Sequence, residues 1–370
     1  MDSDVGAGPA GDCDMSAPKD QQKHVNLALQ GGGAHGAFTW GVLDRLLEDG
    51  RLGFDGISGT SAGAMNAVAL ADGWHDGGAE GAREKLETFW RAISHEGSFS
   101  ITNGQQEVID GFMSLWTWPG VVGPEAMAKL FPMAPWLNPA GTAQLTSPYA
   151  TNPLNINPLR TVVEQLVDFD RVHKCQDFKL FIAATRVHSG KIRVFGREDV
   201  TASAVLASAC LPYAFQAVEI DGEPYWDGGY TGNPALYPFF TETTCEDIVL
   251  VQINPIERAE TPKTSREIME RLSEITFNAS LLREFRAIDF VNRLIDEGKL
   301  EGGDYRRNRV HRIDASEELT ALGAGSKFNT SWAFFTQLRD VGRVAADHFL
   351  DAHYDDVGVK STLDLRAAFS

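Results

Sequence analysis

Gly59-Thr60-Ser61-Ala62-Gly63 stands where an apolar strand gives way to a row of small helix-forming residues. A Gly-x-Ser-x-Gly turn puts its serine on a sharp strand-to-helix bend. Glycines at Gly59 and Gly63 let neighbouring backbone come close, which leaves the serine hydroxyl exposed. The helix that starts there aims its unpaired N–H groups and positive dipole end at whatever the serine attacks. The pentad therefore reads as a nucleophile elbow. Five residues with three fixed positions recur by chance in a chain with 36 glycines, so the surrounding sequence has to carry the reading.

Upstream, Val25, Leu27 and Leu29 form a short buried-strand pattern, followed at once by Gly31-Gly32-Gly33-Ala34-His35-Gly36. A helical stretch then places Phe38, Val42, Leu43, Leu46 and Leu47 on one side and closes at Gly50. Glycines at such a junction bare the backbone N–H groups to an anion, either the oxyanion of acyl transfer or a phosphate. The phosphate reading has literal support, because Gly31-x-Gly33-x-x-Gly36 fits the dinucleotide fingerprint and Asp55 lies near the distance of a ribose-binding acid. That acid should close the second strand, whereas Asp55 precedes Ile57 and begins it; the strand's end holds the serine turn instead. A dinucleotide-binding oxidoreductase is thus the alternative to an acyl hydrolase.

A third cluster, Trp226-Asp227-Gly228-Gly229-Tyr230, follows Gly222-Glu223-Pro224-Tyr225. Taken alone, Asp-Gly-Gly after a hairpin-like segment is a turn. Beside an elbow and a glycine loop it offers the base that the serine lacks, with no histidine between them. An aspartate near pKa 3.9 is a poor base in water, and burial would raise it.

These three blocks, in this order, resemble the patatin-like phospholipase family. A fourth, Ala207-Ser208-Ala209-Cys210-Leu211-Pro212-Tyr213-Ala214-Phe215, is similar to the family's segment ahead of the base, and the likeness spans about residues 24–234. The resemblance implies a Ser–Asp dyad that hydrolyses lipid esters, with no cofactor and no metal in the chemistry. It assigns Ser61 as nucleophile, Asp227 as base, and Gly31, Gly32 and Gly33 as oxyanion donors, with Gly36, Gly59, Gly63, Gly228 and Gly229 supporting the turns. Where the family commonly carries Arg or Lys before the last glycine of the oxyanion loop, this chain has His35, which reads either as a donor that becomes cationic only at mildly acidic pH or as a histidine packed at the start of a helix. Phospholipid, lysophospholipid and acylglycerol all remain open as the ester. A histidine triad would need His311 or His348, but His311 falls in a strand pattern, His348 in a helical one, and both read as structural.

Composition sets the remaining bounds. The 370 residues are 43% hydrophobic, enough for a large core, and no apolar run approaches the membrane-spanning length of about 20 residues. Residues 1–22, polar and Gly/Ala-rich, read as a disordered tail without a secretion signal, and the scattered Cys13, Cys175, Cys210 and Cys245 suit a reducing compartment. The expected location is cytoplasmic or peripheral at a membrane. A net charge of −18 opposes nucleic acid and anionic surfaces as partners, and the short basic cluster Arg306-Arg307-Asn308-Arg309 with Arg312 reads as a solvated edge.

Residues 23–370 are expected to form one domain, with alternating strands and helices arranged as a three-layer α/β/α sandwich around a mostly parallel sheet. Between the elbow helix and the next strands, residues 98–157 carry Phe112, Trp116, Trp118, Phe131, Trp136 and several prolines without clean periodicity. Such an insertion reads as a lid with transient membrane-interface contact, or as aromatics packed over the core. Further on, Lys179–Thr185 and Lys191–Phe195 form a hairpin pattern through Ser189-Gly190. Ile248–Ile253 reads as a buried parallel strand, Ile268 to Ile295 as a long amphipathic helix, and Ser331 as the cap of a last helix. Beside the hydrolase and the oxidoreductase, a catalytically silent lipid-binding protein would keep the same fold.

Overall fold

The computed structural model describes residues 22–94, 147–212, 214–263, 265–300, 305–322, 326–327 and 329–370. Strand β1 (Lys23–Leu29) is buried from Val25 onward, as a strand covered on both faces must be. Its Val25, Leu27 and Leu29 enter one apolar core and Ala28 the other. β7 (Asp247–Val251) divides in the same way, with Val249 and Val251 on the first face and Ile248 and Leu250 on the second. Period-two alternation thus builds two cores, one on each face of a single sheet.

That sheet has eight strands in the order β5-β6-β3-β2-β1-β7-β8, with β4 also paired to β3. β2 (Leu52–Gly59) runs parallel to β1, β1 to β7, and β7 to β8 (Arg309–Ile313). β3 (Lys179–Arg186) is parallel to β2, while β4 (Ile192–Gly196), β5 (Val218–Ile220) and β6 (Glu223–Asp227) add antiparallel pairs. Helices α1 (Gly36–Asp49) and α2 (Ala62–Ile93) cover the first face together with helix Trp332–His353. Trp40 meets Trp332 and Trp90 meets Phe335 across that layer. Helix Ser265–Asp296 supplies Leu281, Phe285 and Ile288 to the second core. The architecture is the expected three-layer α/β/α sandwich around a mostly parallel sheet.

Several local expectations hold. Gly50 ends α1 in the left-handed conformation at φ 70°, and Ser331 caps its helix by accepting from the Phe334 N–H. That helix is not the last, because Leu365–Phe369 forms one more. Asp55 does not begin β2 but lies inside it, and its Oδ2 accepts from the Thr244 and Cys245 N–H groups at 2.6 and 2.7 Å. The basic cluster is tied to the fold: Arg306 donates to the Phe240 carbonyl, Arg307 pairs with Asp296, Arg309 with Asp247 and Arg312 with Asp314.

Among the described residues no helix is long and apolar enough to cross a membrane. Most of the 98–157 insertion, the aromatic residues named for it, and the tail up to residue 21 lie outside the described residues.

Candidate active site

β2 stops at Gly59, level with Ile182 of β3, and β6 then takes over the same edge of β3, with Asp227 opposite Ala184. Asp227 therefore stands two residues beyond the end of β2, the level that Ser61 reaches. The register of three strands brings a serine and an aspartate 166 positions apart in the sequence to one place.

Ser61 adopts φ 54° and ψ −121°, a conformation that costs a side-chain-bearing residue roughly 1–3 kcal/mol. Hydrogen bonds from both sides hold it there. The Ser61 N–H donates to Ser208 Oγ at 2.9 Å, Thr60 Oγ1 to the Gly232 carbonyl at 2.7 Å, and Ser58 Oγ to the Ala235 carbonyl at 2.6 Å. At Gly63 a Cβ would come within 2.9 Å of the Gln30 carbonyl, so only glycine lets the first turn of α2 lie against the end of β1. Although Ser61 is the N-cap of α2, its side chain makes no capping bond, and the hydroxyl is not drawn into the helix.

Asp227 is fully buried. Its N–H donates to the Cys210 carbonyl at 2.8 Å, and its own carbonyl accepts from Thr185 Oγ1 at 2.8 Å. Oδ1 accepts from the Gly229 N–H at 2.7 Å, whereas Oδ2 has no hydrogen-bond partner among the described residues. Burial pushes the carboxyl up from 3.8 to about 7, against the opposing pull of the Gly229 N–H and the Ser61 hydroxyl. The hydroxyl is thus near enough to act on the carboxylate, yet the pair stops short of hydrogen-bond geometry. Resting active sites often show such long contacts, which tighten only when substrate is bound.

The glycine tract closes the third side. A Cβ on Gly31 would sit 2.7 Å from the Ser61 Cβ, so the loop lies directly against the serine. Gly31 itself does not fit the donor role expected of it, because its N–H is committed to Asn233 Oδ1 at 2.7 Å. The Gly32 and Gly33 N–H groups carry no such bond among the described residues. His35 follows its second reading, a histidine packed at the start of a helix, as the residue just before α1. Its ring is buried with Nε2 2.7 Å from Ser326 Oγ, and burial, helped by Lys327 and Arg258, pushes its pKa down to about 3. It stays neutral at mildly acidic pH.

Four polar residues hold this geometry, Ser208 from the fourth motif block and Asn233, Gln30 and Asn254 from outside the motifs. Ser208 anchors the elbow and Asn233 the first glycine. Gln30 Oε1 accepts from the N–H groups of Ile253 and Asn254, both at 2.9 Å, and Asn254 Nδ2 donates to the Gly31 carbonyl at 2.7 Å. Gln30 directly follows β1 and Asn254 lies three residues past β7, at the carboxyl ends of parallel strands where ligands of open α/β sheets bind. That position is the one sequence signal that could have pointed to them.

The competing constellations do not assemble. His311 lies in β8 with Nε2 3.0 Å from Asp247 Oδ1 and Nδ1 3.1 Å from Thr362 Oγ1. Three strand spacings, about 14 Å, separate β8 from β2. His348 sits on helix Trp332–His353, lining a groove with Asp314, Glu318 and Asp340. The would-be ribose acid, Asp55, is engaged by Thr244 and Cys245. Cys210 is buried, its thiol pushed up to about 12, and packs as a small apolar residue.

A family model described as patatin-like phospholipase matches residues 27–240. Among solved structures, VipD from Legionella pneumophila is 16% identical, with 88% of this chain and 68% of that one covered at a TM-score of 0.36. The ExoU–SpcU complex of the Pseudomonas aeruginosa type III secretion system is 15% identical, with 94% and 75% covered at a TM-score of 0.28. No curated protein matches the chain.

Proposed function

The chain belongs to the patatin-like phospholipase family, and from that premise we propose that it cleaves fatty-acyl ester bonds of lipids with Ser61 as nucleophile and Asp227 as base. Asp227 Oδ2 takes the hydroxyl proton as Ser61 Oγ attacks the ester carbonyl, and the Gly32 and Gly33 N–H groups receive the negative charge that develops on the carbonyl oxygen. The alcohol leaves with the proton. Water, activated by the same carboxylate, then releases the fatty acid from the acyl-enzyme. A base near pKa 7 suits this work better than an ordinary aspartate, since it is half ionised at neutral pH and still basic enough to accept a proton.

The observation that carries the proposal is the buried Asp227 carboxyl, one oxygen without a partner among the described residues, beside a serine held at positive φ. Residues 23–370 are proposed as one domain, supported by strands from β1 to β8 sharing a single sheet. The tryptophan-rich insertion at 98–157 is proposed as the lid and the point of membrane contact, on the strength of its composition.

An active-site fluorophosphonate should label the wild type and leave Ser61→Ala untouched. Fatty-acid release from a panel of phospholipid, lysophospholipid and acylglycerol esters should fall on the order of a millionfold in that variant. Labelling that survives in Ser61→Ala, or a wild type that releases no fatty acid from any ester, would refute the proposal.

A further inference from the structure

Lys327 reaches the glycine tract from a part of the chain well outside the family match. Its Nζ donates to Asn254 Oδ1 at 2.9 Å, and Asn254 Nδ2 donates in turn to the Gly31 carbonyl at 2.7 Å. That carbonyl belongs to the same planar trans peptide as the Gly32 N–H. A bond that fixes the oxygen therefore also aims the N–H, in the opposite direction. The Gly31 N–H has no part in this, since Asn233 Oδ1 holds it. The neighbouring backbone is clasped as well: Ser326 Oγ lies 2.7 Å from His35 Nε2, and a Cβ on Gly33 would come within 2.8 Å of the Lys327 carbonyl.

We infer that Lys327 is a positioning residue for the proposed acyl transfer, its ammonium polarising a hydrogen-bond relay through Asn254 and the Gly31 carbonyl that ends at the Gly32 N–H. The inference rests on the proposed role of Gly32 as an oxyanion donor. Bonds in such a chain strengthen one another by about 10–30% each, and an ionised donor at the head makes the first link roughly twice as strong as a neutral one. His35, buried and neutral, brings no charge of its own to the loop. Arg258, the other cation facing His35, has its guanidinium on Glu274, with Nε at 3.1 Å. Lys327 also faces Glu274, and among the described residues it is the cation that donates to Asn254.

The test measures initial rates of the full-length chain on a neutral p-nitrophenyl ester. Lys327→Met should lower kcat about tenfold, a fraction of the hundred- to thousandfold that a whole oxyanion donor is worth. KM should change by less than about twofold, because the relay acts on charge that appears only in the transition state. Adding Lys327→Met to Asn254→Ala should cost nothing further, and Lys327→Arg should recover most of the rate. A second measurement guards against misfolding. Lys327→Cys treated with 2-bromoethylamine regains an ammonium on an already folded chain and should regain activity, whereas neutral iodoacetamide should not restore it. Wild type given the same reagents controls for the other cysteines. Unchanged kcat in Lys327→Met, a loss confined to KM, or no gain on aminoethylation would overturn the inference. A wild type that neither turns over ester nor takes the fluorophosphonate would instead overturn the proposed function.

Discussion

Replacing Asp227 with Asn should make the protein less active and, at neutral pH, more stable, by an amount that depends on pH. Burial raises the carboxyl from its ordinary 3.8 to about 7. Between those values the folded chain keeps a proton that the unfolded chain has lost, so this group makes stability fall as pH rises, by about 1.4 kcal/mol per unit. Below both values the two states are equally protonated and nothing is lost. Above pH 7 both are ionised and the full deficit, about 4 kcal/mol, is reached. Asn has no charge to desolvate and keeps the acceptor for the Gly229 N–H. Its amide nitrogen would occupy the place of the unpartnered Oδ2, a buried unsatisfied donor that costs about 1–3 kcal/mol at every pH. The net gain at pH 8 is then about 1–3 kcal/mol, turning into a loss of similar size at pH 4. Urea unfolding of both chains at pH 4, 6 and 8 measures it, and turnover should fall on the order of a thousandfold. Glu284, also raised to about 7 by burial, and Asp247, held well below the usual carboxylate range by His311 and Arg309, titrate in both chains and cancel in the difference. A stability difference that stays flat from pH 4 to 8 would mean that burial does not raise the Asp227 carboxyl.

Two further outcomes follow from the same geometry. On a neutral ester, kcat/KM should rise with pH through an apparent pKa near 7 as Asp227 loses its proton and then level off, with no second inflection between pH 5 and 8 because His35 stays neutral down to about 3; a profile centred near 4 would count against Asp227 as the base. Gly32→Val should cost about 3 kcal/mol in kcat, since its Cβ would come within 2.6 Å of Ile253 Cγ2 and turn the oxyanion donor away; labelling and turnover at wild-type rates would show that the Gly32 N–H is not used.

The sequence made the framework legible because the framework follows short-range rules. Glycine at strand ends, period-two runs in β1 and β7, and Gly50 past α1 each declare a local conformation. Ser61, Asp227 and the glycine tract stood out for the same reason, each marking its own turn. Which N–H groups remain available did not follow from motifs. Gly31 looks like its neighbours in sequence and loses its donor only to Asn233, 202 positions away. His35 looks titratable and is silenced by burial beside Ser326 and Lys327. Along helix Ser265–Asp296 the apolar period is real, yet Ile268, Leu272 and Ile275 are exposed while Leu281, Phe285 and Ile288 fill the core. Period alone states that a helix has an apolar face, not that something covers its whole length.

The site also explains why so much buried polar chemistry surrounds it. Positive φ at Ser61 costs roughly 1–3 kcal/mol and the buried Asp227 carboxylate about 4 at neutral pH, together a sizeable part of the 5–15 kcal/mol by which a domain is stable. Both liabilities fall at one point, so they must be offset there or the elbow would relax and the carboxylate find water. The offsetting bonds come from Ser208, Gly232, Ala235, Asn233 and Asn254 to the elbow strand and the glycine tract. At about 1 kcal/mol net for each bond they are worth about 5 kcal/mol, close to the cost. These residues come from three separate stretches of chain, and only the folded sheet brings them together. A strained nucleophile and a desolvated base can therefore persist at this end of the sheet because the bonds that hold them form only when the whole architecture has formed.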